Sequence, residues 1–512
     1  MVKCVMPEIF TPEEAALLAP YVTNLDRSIF CLKNLPEEVI AVLFAYYSRS
    51  RESLRRNLLK LIQDQDLDLE ERLRYTGMEE AELAKAKQKA KEFHEKWVVG
   101  YGHSSVAEHA MAHLAVEDVS IIASKIVEDM RLAAYTEKST RYVVFEPEKY
   151  YADPAILASP HAERYEAIVR GLLQAYIELT NPVIEAIKAE TPRGEKQTEG
   201  AYNAACRAKA CDLLRYLLPA ATLTNIGVTI NGRALEYHLT KLFSHPLAEV
   251  REIGRVIKEE AIKVIPTLIK YANENAYVVE TREAMERLSD EVFKGETAPT
   301  EHGVRLMSYP EDAEAQLVAA ILYGYTRLPM ATLSERVKRL TPEERARVVD
   351  EYLSRRGPHD QPLRALEHLH YTYEITVDYG AYRDLQRHRM ATQILQPFSP
   401  DLGYATPPEL ETYGHGRLYH EWMARAAEAY RVIVRDFPRE AAYVLPLAYR
   451  IRVLFTWNLR EIHHFVALRS AHQGHISYRR VAQDVYRELE RVHPQLARYI
   501  RVDLSDYAFA RL

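Results

Sequence analysis

Arginine, histidine and small polar residues recur in three groups whose types and spacing suit the binding of anions. The groups are His103, Ser105, Glu108 and His109 with Glu137, Ser139, Arg141 and Tyr142; the triplet Arg387-His388-Arg389; and the Asn-x-Arg pairs Asn231/Arg233 and Asn458/Arg460 with Arg469. Guanidinium and hydroxyl groups donate hydrogen bonds to phosphates, and those from arginine are charge-assisted. A local arginine cluster can therefore bind a phosphate even in a chain without a basic surface.

Each group also has a structural interpretation. An Arg-His-Arg triplet on a helix is often a solvated or salt-bridged surface, and Ser139-Thr140-Arg141 can cap a helix or end a strand. Asn-x-Arg is a common tripeptide. His103 and His109 are six residues apart, which matches neither spacing of one helical face, and no thiolate accompanies them. We therefore expect no metal site.

The composition is that of a soluble globular protein with a sizeable core. The chain has 512 residues, of which 47% are apolar and 27% charged, and this argues against disorder or a fibre. Its net charge of −6 argues against a polycation built for nucleic acid. Neither a bilayer-spanning apolar run nor a signal peptide is evident.

Cysteine usage points to a reducing compartment. The four cysteines are Cys4, Cys31, Cys206 and Cys211, and they form no CxxC pair. Neither a disulfide framework nor a thiolate zinc site is expected from this pattern. We therefore expect a cytoplasmic protein.

The chain contains an internal duplication. Residues 35–49 match 341–355, residues 107–119 match 366–378, and residues 230–242 match 457–469. The offset between the copies falls from 306 to 259 and then to 227, as insertions of 47 and 32 residues in the first copy would produce. The length, which would suit about three ordinary domains, is thus better explained by two enlarged copies of one domain.

The elements follow from this division. The first copy is predicted at 1–290, with helical insertions at about 51–98 and 147–214, and the second at 303–512 after a linker at 289–303. Apolar alternation predicts strands at 110–119 and 369–378. Helices are predicted to follow at 120–135 and 379–393, with further helices such as 420–437. An α+β fold results.

Taken in order, the polar groups resemble the motifs of flavin-dependent thymidylate synthases. The family pattern is His-x-Ser/Thr-x-x-Glu-His, then Arg-His-Arg, seven residues, Ser-x-Arg-Tyr, then Arg-x-x-x-Pro and Asn-x-Arg. The resemblance covers most of both copies. It implies a tandem duplication of the family domain, with antiparallel sheets and long helices.

Neither copy carries the whole pattern. The first copy fits at His103 to His109, Glu137 to Tyr142, Arg215-x-x-x-Pro219 and Asn231-x-Arg233, but has Asp129-Met130-Arg131 for the triplet and Leu242 for the arginine that activates the pyrimidine. The second copy fits at Arg387-His388-Arg389, Asn458-x-Arg460 and Arg469, but has replaced Ser-x-Arg-Tyr at 395–404 and has Ala442 before Pro446. The two sets of losses are complementary.

Family members are homotetramers with active sites built across subunits, so the resemblance implies one composite site from both copies. It implies dUMP binding by Glu137, Ser139, Arg141, Arg215, Arg387 and Arg469, with Arg469 as the catalytic residue. It implies FAD binding by His103, Ser105, Glu108, Asn231, Arg233, Arg387, His388, Arg389, Asn458 and Arg460. Two chains would form a pseudo-tetramer with two working sites.

The activity implied is reductive methylation of dUMP to dTMP, with methylenetetrahydrofolate as carbon donor and NADPH as reductant through FAD. The alternative is a homologue that has lost catalysis and binds flavin or nucleotide or is structural, which Asp129, Met130 and Leu242 favour. A nucleic-acid-binding role is disfavoured because there is no basic stripe.

Overall fold

The structure is a computed structural model that describes residues 9–26, 30, 32–35, 37, 39–40, 43, 53–63, 107–265, 269–296, 299 and 301–506. The chain divides into two compact units. The first consists of Met1–Val116, Leu132–Glu137 and Ile226–Lys294, and the second of Glu117–Arg131, Lys138–Asn225 and Gly295–Leu512. The second unit therefore combines segments of both sequence copies. The domain bounds 1–290 and 303–512 describe the repeat and stay a prediction.

A three-stranded sheet contains β1 (Met111–Ser120), β2 (Ala133–Glu137) and β3 (Leu223–Asn231) in the order β1-β3-β2. Strand β2 pairs with β3 in antiparallel fashion, from Ala133 opposite Ile230 to Glu137 opposite Ile226. The helices of the first unit are Pro12–Leu18, Leu54–Gln63, Gly232–Phe243, Ala248–Ala261 and Ala276–Val292.

The second unit contains an antiparallel four-stranded sheet in the order β4-β5-β7-β6. Its strands are β4 (Gly303–Ser308), β5 (His370–Asp378), β6 (Thr392–Leu395) and β7 (Arg450–Asn458). The apolar residues Tyr371, Tyr373, Ile375 and Val377 of β5 are all buried. This alternation places a continuous apolar face of β5 in the core.

Helices connect the strands of this sheet. The α-helices of the second unit are Ile121–Val127, Pro154–Leu157, Ala162–Glu190, Glu199–Leu214, Ala313–Tyr323, Met330–Lys338, Pro342–Leu353, Tyr379–Leu385, Pro408–Thr412, Gly416–Ile433, Leu459–Arg469, Ile476–Val492 and Pro494–Ala497. Short 3-10 helices occupy Arg215–Leu217, Arg364–His368 and Glu440–Val444. Among the described residues, no helix combines the length and apolarity that a membrane span requires.

The predicted α+β fold is confirmed, and so are the strands predicted at 110–119 and 369–378. The helices predicted at 120–135 and 379–393 are wrong in their second halves. They end at Val127 and Leu385, and the chain then turns into β2 and β6. Backbone pairing of β2 with β3 and of β6 with β7 overrides the helix propensity of these segments.

The insertion predicted at 147–214 is helical in the structure. Helix Ala162–Glu190 has 29 residues, whereas Gly416–Ile433 of the second copy has 18, and the first copy adds helix Glu199–Leu214. Of the insertion predicted at 51–98, the structure describes 53–63, which contain helix Leu54–Gln63. The remainder of that insertion lies outside the described residues.

Equivalent segments of the two copies meet within the second unit. Ala220 N donates to Leu445 O at 2.9 Å, and the equivalent Leu447 N donates to Leu218 O at 2.9 Å. Pro219 and Pro446 form a β-bridge between these pairs. The reciprocal bonds give this junction local two-fold pseudo-symmetry and place Arg215 of the first copy beside residues of the second.

Candidate active site

The carboxylate of Asp384 is surrounded by arginines from both sequence copies. Asp384 lies in the last turn of helix Tyr379–Leu385 and is buried. Its carboxylate oxygens lie 3.6 Å from Arg215 Nη1, 3.7 Å from Arg387 Nη1 and 3.7 Å from Arg469 Nη1. The first of these arginines belongs to the first copy and the other two to the second. Three cations predicted to bind one nucleotide are thus collected around one side chain.

Arg141 joins this cluster through a different carboxylate. Its guanidinium donates to both oxygens of Asp212, at 2.6 and 2.8 Å, and its Nη1 donates to Tyr478 Oη at 2.8 Å. The pair is buried, so this bidentate contact is a strong charge-assisted interaction. Arg469 lies over the same Tyr478 ring, with its guanidinium carbon 5.3 Å from the ring centroid. Tyr478 therefore contacts cations from both copies.

His388 holds Arg469 in place. Arg469 Nε donates to His388 Nε2 at 3.0 Å, and His388 Nδ1 lies 2.8 Å from Glu461 Oε1. Because Nε2 accepts a hydrogen bond, the neutral imidazole carries its hydrogen on Nδ1, and Nδ1–H donates a hydrogen bond to Glu461. Burial lowers the pKa of His388, with Arg469 acting in the same direction and Glu461 opposing it. The neutral imidazole is thus the form that fits these contacts.

The electrostatics of the cluster keep Asp384 ionised. Burial by itself would raise the pKa of the Asp384 carboxyl group. The guanidinium groups of Arg387, Arg215, Arg469 and Arg141 oppose burial, and the pKa is lowered below its ordinary value. The site therefore contains a carboxylate at neutral pH.

Arg215 retains hydrogen-bond donors that the described residues do not use. It is 1% exposed, and neither its Nε nor its Nη2 has a hydrogen-bond partner in the part of the chain that the structure describes. Buried donors of this kind are normally satisfied by protein, water or a ligand. A Cβ atom at Gly380 would lie 3.3 Å from Arg215 Nε, so the absence of a side chain at Gly380 leaves space for the guanidinium group.

A cavity of about 290 Å³ adjoins one end of the cluster. Arg141 and Asp212 line it, together with Tyr216, Asp378 and Ser477. Arg215, Arg387 and Arg469 are not among its lining residues. This cavity therefore reaches the Arg141–Asp212 pair.

The other residues predicted to bind dUMP are Ser139 and Glu137. Ser139 Oγ accepts from the backbone N of Arg141 at 3.2 Å, which shapes the turn before that arginine. Glu137 ends β2 and belongs to the first unit. Their roles in dUMP binding stay predictions.

Several residues predicted to bind FAD form the same structural arrangement in each copy. Asn231 and Asn458 cap helices Gly232–Phe243 and Leu459–Arg469, each accepting a backbone hydrogen bond at 2.8 Å. Arg233 pairs with Glu108, and Arg460 pairs with the equivalent Glu367 at 3.0 Å. These contacts give the motif a structural function in both copies. His103 and Ser105 lie outside the described residues, and Arg389 is partly buried.

Sequence reasoning missed the acidic partners of the arginines. Asp212 and Asp384 each precede a motif arginine by three residues, in Asp-Leu-Leu-Arg215 and Asp-Leu-Gln-Arg387. That shared spacing places each aspartate within one helical turn of a motif arginine. It was the signal in the sequence that could have identified both aspartates. Asp212 lies within the insertion predicted at 147–214, to which no site residue was assigned.

Comparison with known proteins defines the class. Residues 57–267 and 305–495 each match the model of the family described as "Thymidylate synthase complementing protein". The two matches cover most of the chain. The protein therefore belongs to this family of flavin-dependent thymidylate synthases and contains its domain twice in tandem.

Individual relatives are similar over different lengths. The chain is 36% identical to a UPF0159 protein of Chlamydia muridarum, over 98% of this chain and 97% of that protein. It is 32% identical to the flavin-dependent thymidylate synthase of Thermococcus kodakarensis, over 35% of this chain and 67% of that protein. A solved structure of flavin-dependent thymidylate synthase from Helicobacter pylori, complexed with FAD and dUMP, is matched with a TM-score of 0.31 and 16% identity, over 39% of this chain and 100% of that one.

Proposed function

We propose that the protein is a flavin-dependent thymidylate synthase that methylates dUMP to dTMP in a composite site built from both copies. Methylenetetrahydrofolate would supply the carbon, and NADPH would supply the electrons through FAD. The observation that carries the proposal is the gathering of Arg215, Arg387 and Arg469 at 3.6 to 3.7 Å from one carboxylate. These cations come from different copies, and each copy lacks the ones that the other provides.

Phosphate recognition falls to Arg215 and Arg387. Arg215 has two buried N–H donors without described partners, and the Arg387 side chain is 45% exposed. Together they provide guanidinium groups from both copies for the nucleotide phosphate. Arg141, Ser139 and Glu137 would complete the dUMP contacts.

Activation of the pyrimidine falls to Arg469. Its guanidinium is fixed by His388 and by the carbonyl oxygen of Asp384, to which Nη2 donates at 2.7 Å. A planar guanidinium held at two edges can present a remaining N–H group to a uracil oxygen and stabilise negative charge that develops on the ring. Arg469 is thus the proposed catalytic residue, and His388 is a positioning residue.

The described donor set fits an anionic flavin cofactor through its arginines. Arg387 and Arg389 would hold the pyrophosphate of FAD, which supplies a hydride when bound and reduced. His388 has both ring nitrogens engaged within the protein, so it serves the cofactor by fixing Arg469. Direct contacts from His103, Ser105, Glu108, Asn231, Arg233, Asn458 and Arg460 stay predicted, as does a homodimer that forms a pseudo-tetramer with two sites.

A second candidate is a homologue that has lost catalysis. Asp212 takes two hydrogen bonds from Arg141, and Asp384 neutralises part of the remaining charge. Such internal ion pairs would suit a cluster that has become structural. Binding of flavin without turnover would favour this candidate.

The experiment that separates the candidates begins with the purified full-length chain. Its visible spectrum reports bound flavin, and an assay with dUMP, methylenetetrahydrofolate, NADPH and added FAD reports dTMP. Flavin absorbance with dTMP formation supports the synthase. Flavin without dTMP supports the second candidate, and the absence of both flavin and dUMP binding contradicts both.

A further inference from the structure

Tyr478 is a buried side chain that contacts guanidinium groups of both sequence copies. It lies in the first turn of helix Ile476–Val492. Its hydroxyl oxygen accepts a hydrogen bond from Arg141 Nη1 at 2.8 Å. The guanidinium carbon of Arg141 lies 5.6 Å from the centroid of the Tyr478 ring, and that of Arg469 lies 5.3 Å from the same centroid. One phenol side chain thus meets a cation of the first copy and a cation of the second.

The hydroxyl of Tyr478 holds the edge of Arg141 that Asp212 leaves unheld. Asp212 accepts from Nε and Nη2 of Arg141, whereas Nη1 donates to Tyr478. The guanidinium group is buried, so loss of the acceptor for Nη1 would carry the cost of an unsatisfied buried donor. The orientation of Arg141 therefore depends on Tyr478 as well as on Asp212.

The contact with Arg469 completes a second set of restraints. Arg469 Nε donates to His388 and Nη2 donates to the carbonyl oxygen of Asp384, while the guanidinium group faces the Tyr478 ring. A cation at this distance from an aromatic face is attracted by the quadrupole of the ring. Tyr478 therefore fixes Arg469 from a side that neither His388 nor the carbonyl oxygen covers.

Tyr478 also acts on the charge of both arginines in the same direction. Burial lowers the pKa of Arg469, and Asp384 and Tyr478 oppose that effect. Burial acts against the charged form of Arg141 as well, but Asp212, with a smaller contribution from Tyr478, raises the pKa of Arg141 above its ordinary value. The phenol thus stabilises the charged form of a guanidinium group from each copy.

We propose that Tyr478 is a positioning residue that fixes Arg141 of the first copy relative to Arg469 of the second. The inference rests on the proposed function, in which Arg141 contributes to dUMP binding and Arg469 activates the pyrimidine. Tyr478 acts on the substrate through these two arginines. The effect of its hydroxyl on dUMP affinity therefore passes through Arg141, and the effect of its ring on the rate passes through Arg469.

The first test measures dUMP affinity by calorimetric titration and the rate of dTMP formation at saturating dUMP, both in the full-length protein. Tyr478→Phe removes the hydroxyl, and we expect the affinity to fall about tenfold because Arg141 Nη1 loses its acceptor. The rate should fall less, since the ring beside Arg469 remains. Tyr478→Leu also removes the ring and should lower the rate about tenfold further. Tyr486→Phe, which removes a hydroxyl that donates to Glu490 on the same helix, is the control and should change neither quantity.

A double-mutant cycle shows whether the hydroxyl acts through Arg141. Arg141→Lys keeps the positive charge but lacks the Nη1 group that reaches Tyr478. In the Arg141→Lys background, addition of Tyr478→Phe should lower dUMP affinity by less than about twofold, because the contact is already broken. Arg141→Lys alone should also lower the rate at saturating dUMP, because it releases the link to Arg469.

Equal losses of affinity from Tyr478→Phe in the two backgrounds, or an unchanged affinity in folded Tyr478→Phe, would overturn the inference and leave the proposed function standing. Near-ultraviolet circular dichroism checks the fold. If Tyr478→Phe does not fold, the rate of Arg141→Lys at saturating dUMP decides, since linked arginines predict a slower rate and independent arginines an unchanged one. If the wild type neither binds dUMP nor forms dTMP, the proposed function is wrong and the inference falls with it.

Discussion

Each residue of the arginine cluster around Asp384 has an equivalent position in the other sequence copy. The cluster is built from charged residues, whereas most of the equivalent positions hold apolar residues. Two equivalent backbone hydrogen bonds relate Gly380 to Ile122. Gly380 N donates to Leu447 O, and Ile122 N donates to Ala220 O, the equivalent carbonyl of the first copy. By the same register and the motif matches, the corresponding pairs are Asp384 and Ile126, Arg387 and Asp129, His388 and Met130, Arg215 and Ala442, and Arg469 and Leu242. One set is ionic and the other is mainly apolar.

This difference teaches what a buried arginine requires. A guanidinium can remain buried only where anions compensate it, because an uncompensated buried charge is strongly destabilising. Leu242 is fully buried in the first unit, where a Cβ atom at Gly254 would lie 2.9 Å from its own Cβ. Leu242 is therefore part of a packed contact between two helices. The buried arginines thus lie beside carboxylates, and Leu242 lies in an apolar helix contact.

Arg469→Ala is the strongest test of the comparison. We expect the rate of dTMP formation to fall about a thousandfold, because the variant removes the group proposed to stabilise charge on the pyrimidine. The assay with dUMP, methylenetetrahydrofolate, NADPH and FAD measures this rate. Arg417→Ala, which removes an exposed arginine of the same unit, is the control and should retain the rate. An unchanged rate in Arg469→Ala would show that the retained cluster is not the active site.

Leu242→Arg restores the family residue at the position that has become apolar. We expect the free energy of unfolding to fall by about 3–5 kcal/mol, because the new charge is buried without an anion to compensate it. Thermal and denaturant unfolding measure the loss. Tyr237→Arg, on the exposed face of the same helix, should change stability little. A stable and more active Leu242→Arg protein would mean that the second set of positions still forms a site.

The sequence predicted the membership of the cluster better than its chemistry. Arg215, Arg387 and Arg469 are found together, as the complementary motif losses implied, because the local pseudo-symmetry brings the two copies to one place. The acidic residues Asp212 and Asp384 were missed because an aspartate beside an arginine on a helix is usually a surface ion pair. Only burial distinguishes this case, and burial follows from tertiary packing that spacing does not reveal.

The ends of the predicted elements show the same limit. Periodicity located β1 and β5, since alternation is a local property of the chain. It could not locate β2 and β6, whose strand conformation is fixed by pairing with β3 and β7. The roles assigned to Asn231 and Asn458 were likewise incomplete, because both residues cap helices in addition to any contact with a cofactor.

Gly380→Ala tests whether the absence of a side chain at Gly380 is needed for the position of Arg215. The added Cβ would lie 3.3 Å from Arg215 Nε and 3.1 Å from Asp378 Oδ1, so we expect Arg215 to shift and the affinity for dUMP to fall about tenfold. Titration with dUMP measures the affinity. Gly200→Ala, where a Cβ meets no atom within 4 Å, is the control and should bind dUMP as the wild type does. Equal affinity in the two variants would mean that the position of Arg215 does not matter for binding.

His388→Gln tests the smallest of these effects, through pH. The lowered pKa of His388 means that the unfolded chain takes up a proton at a higher pH than the folded chain does. The folded state of the wild type therefore loses stability relative to the unfolded state as the pH falls below about 6.5.

At pH 8 we expect the His388→Gln variant to be less stable than the wild type, because it loses the contacts with Glu461 and Arg469. Between pH 8 and pH 5.5 this gap should narrow by about 1 kcal/mol, as measured by urea unfolding. His359→Gln replaces an exposed histidine, is the control, and should change stability little. A gap for His388→Gln that stays constant between pH 8 and pH 5.5 would contradict a buried, neutral imidazole beside Arg469.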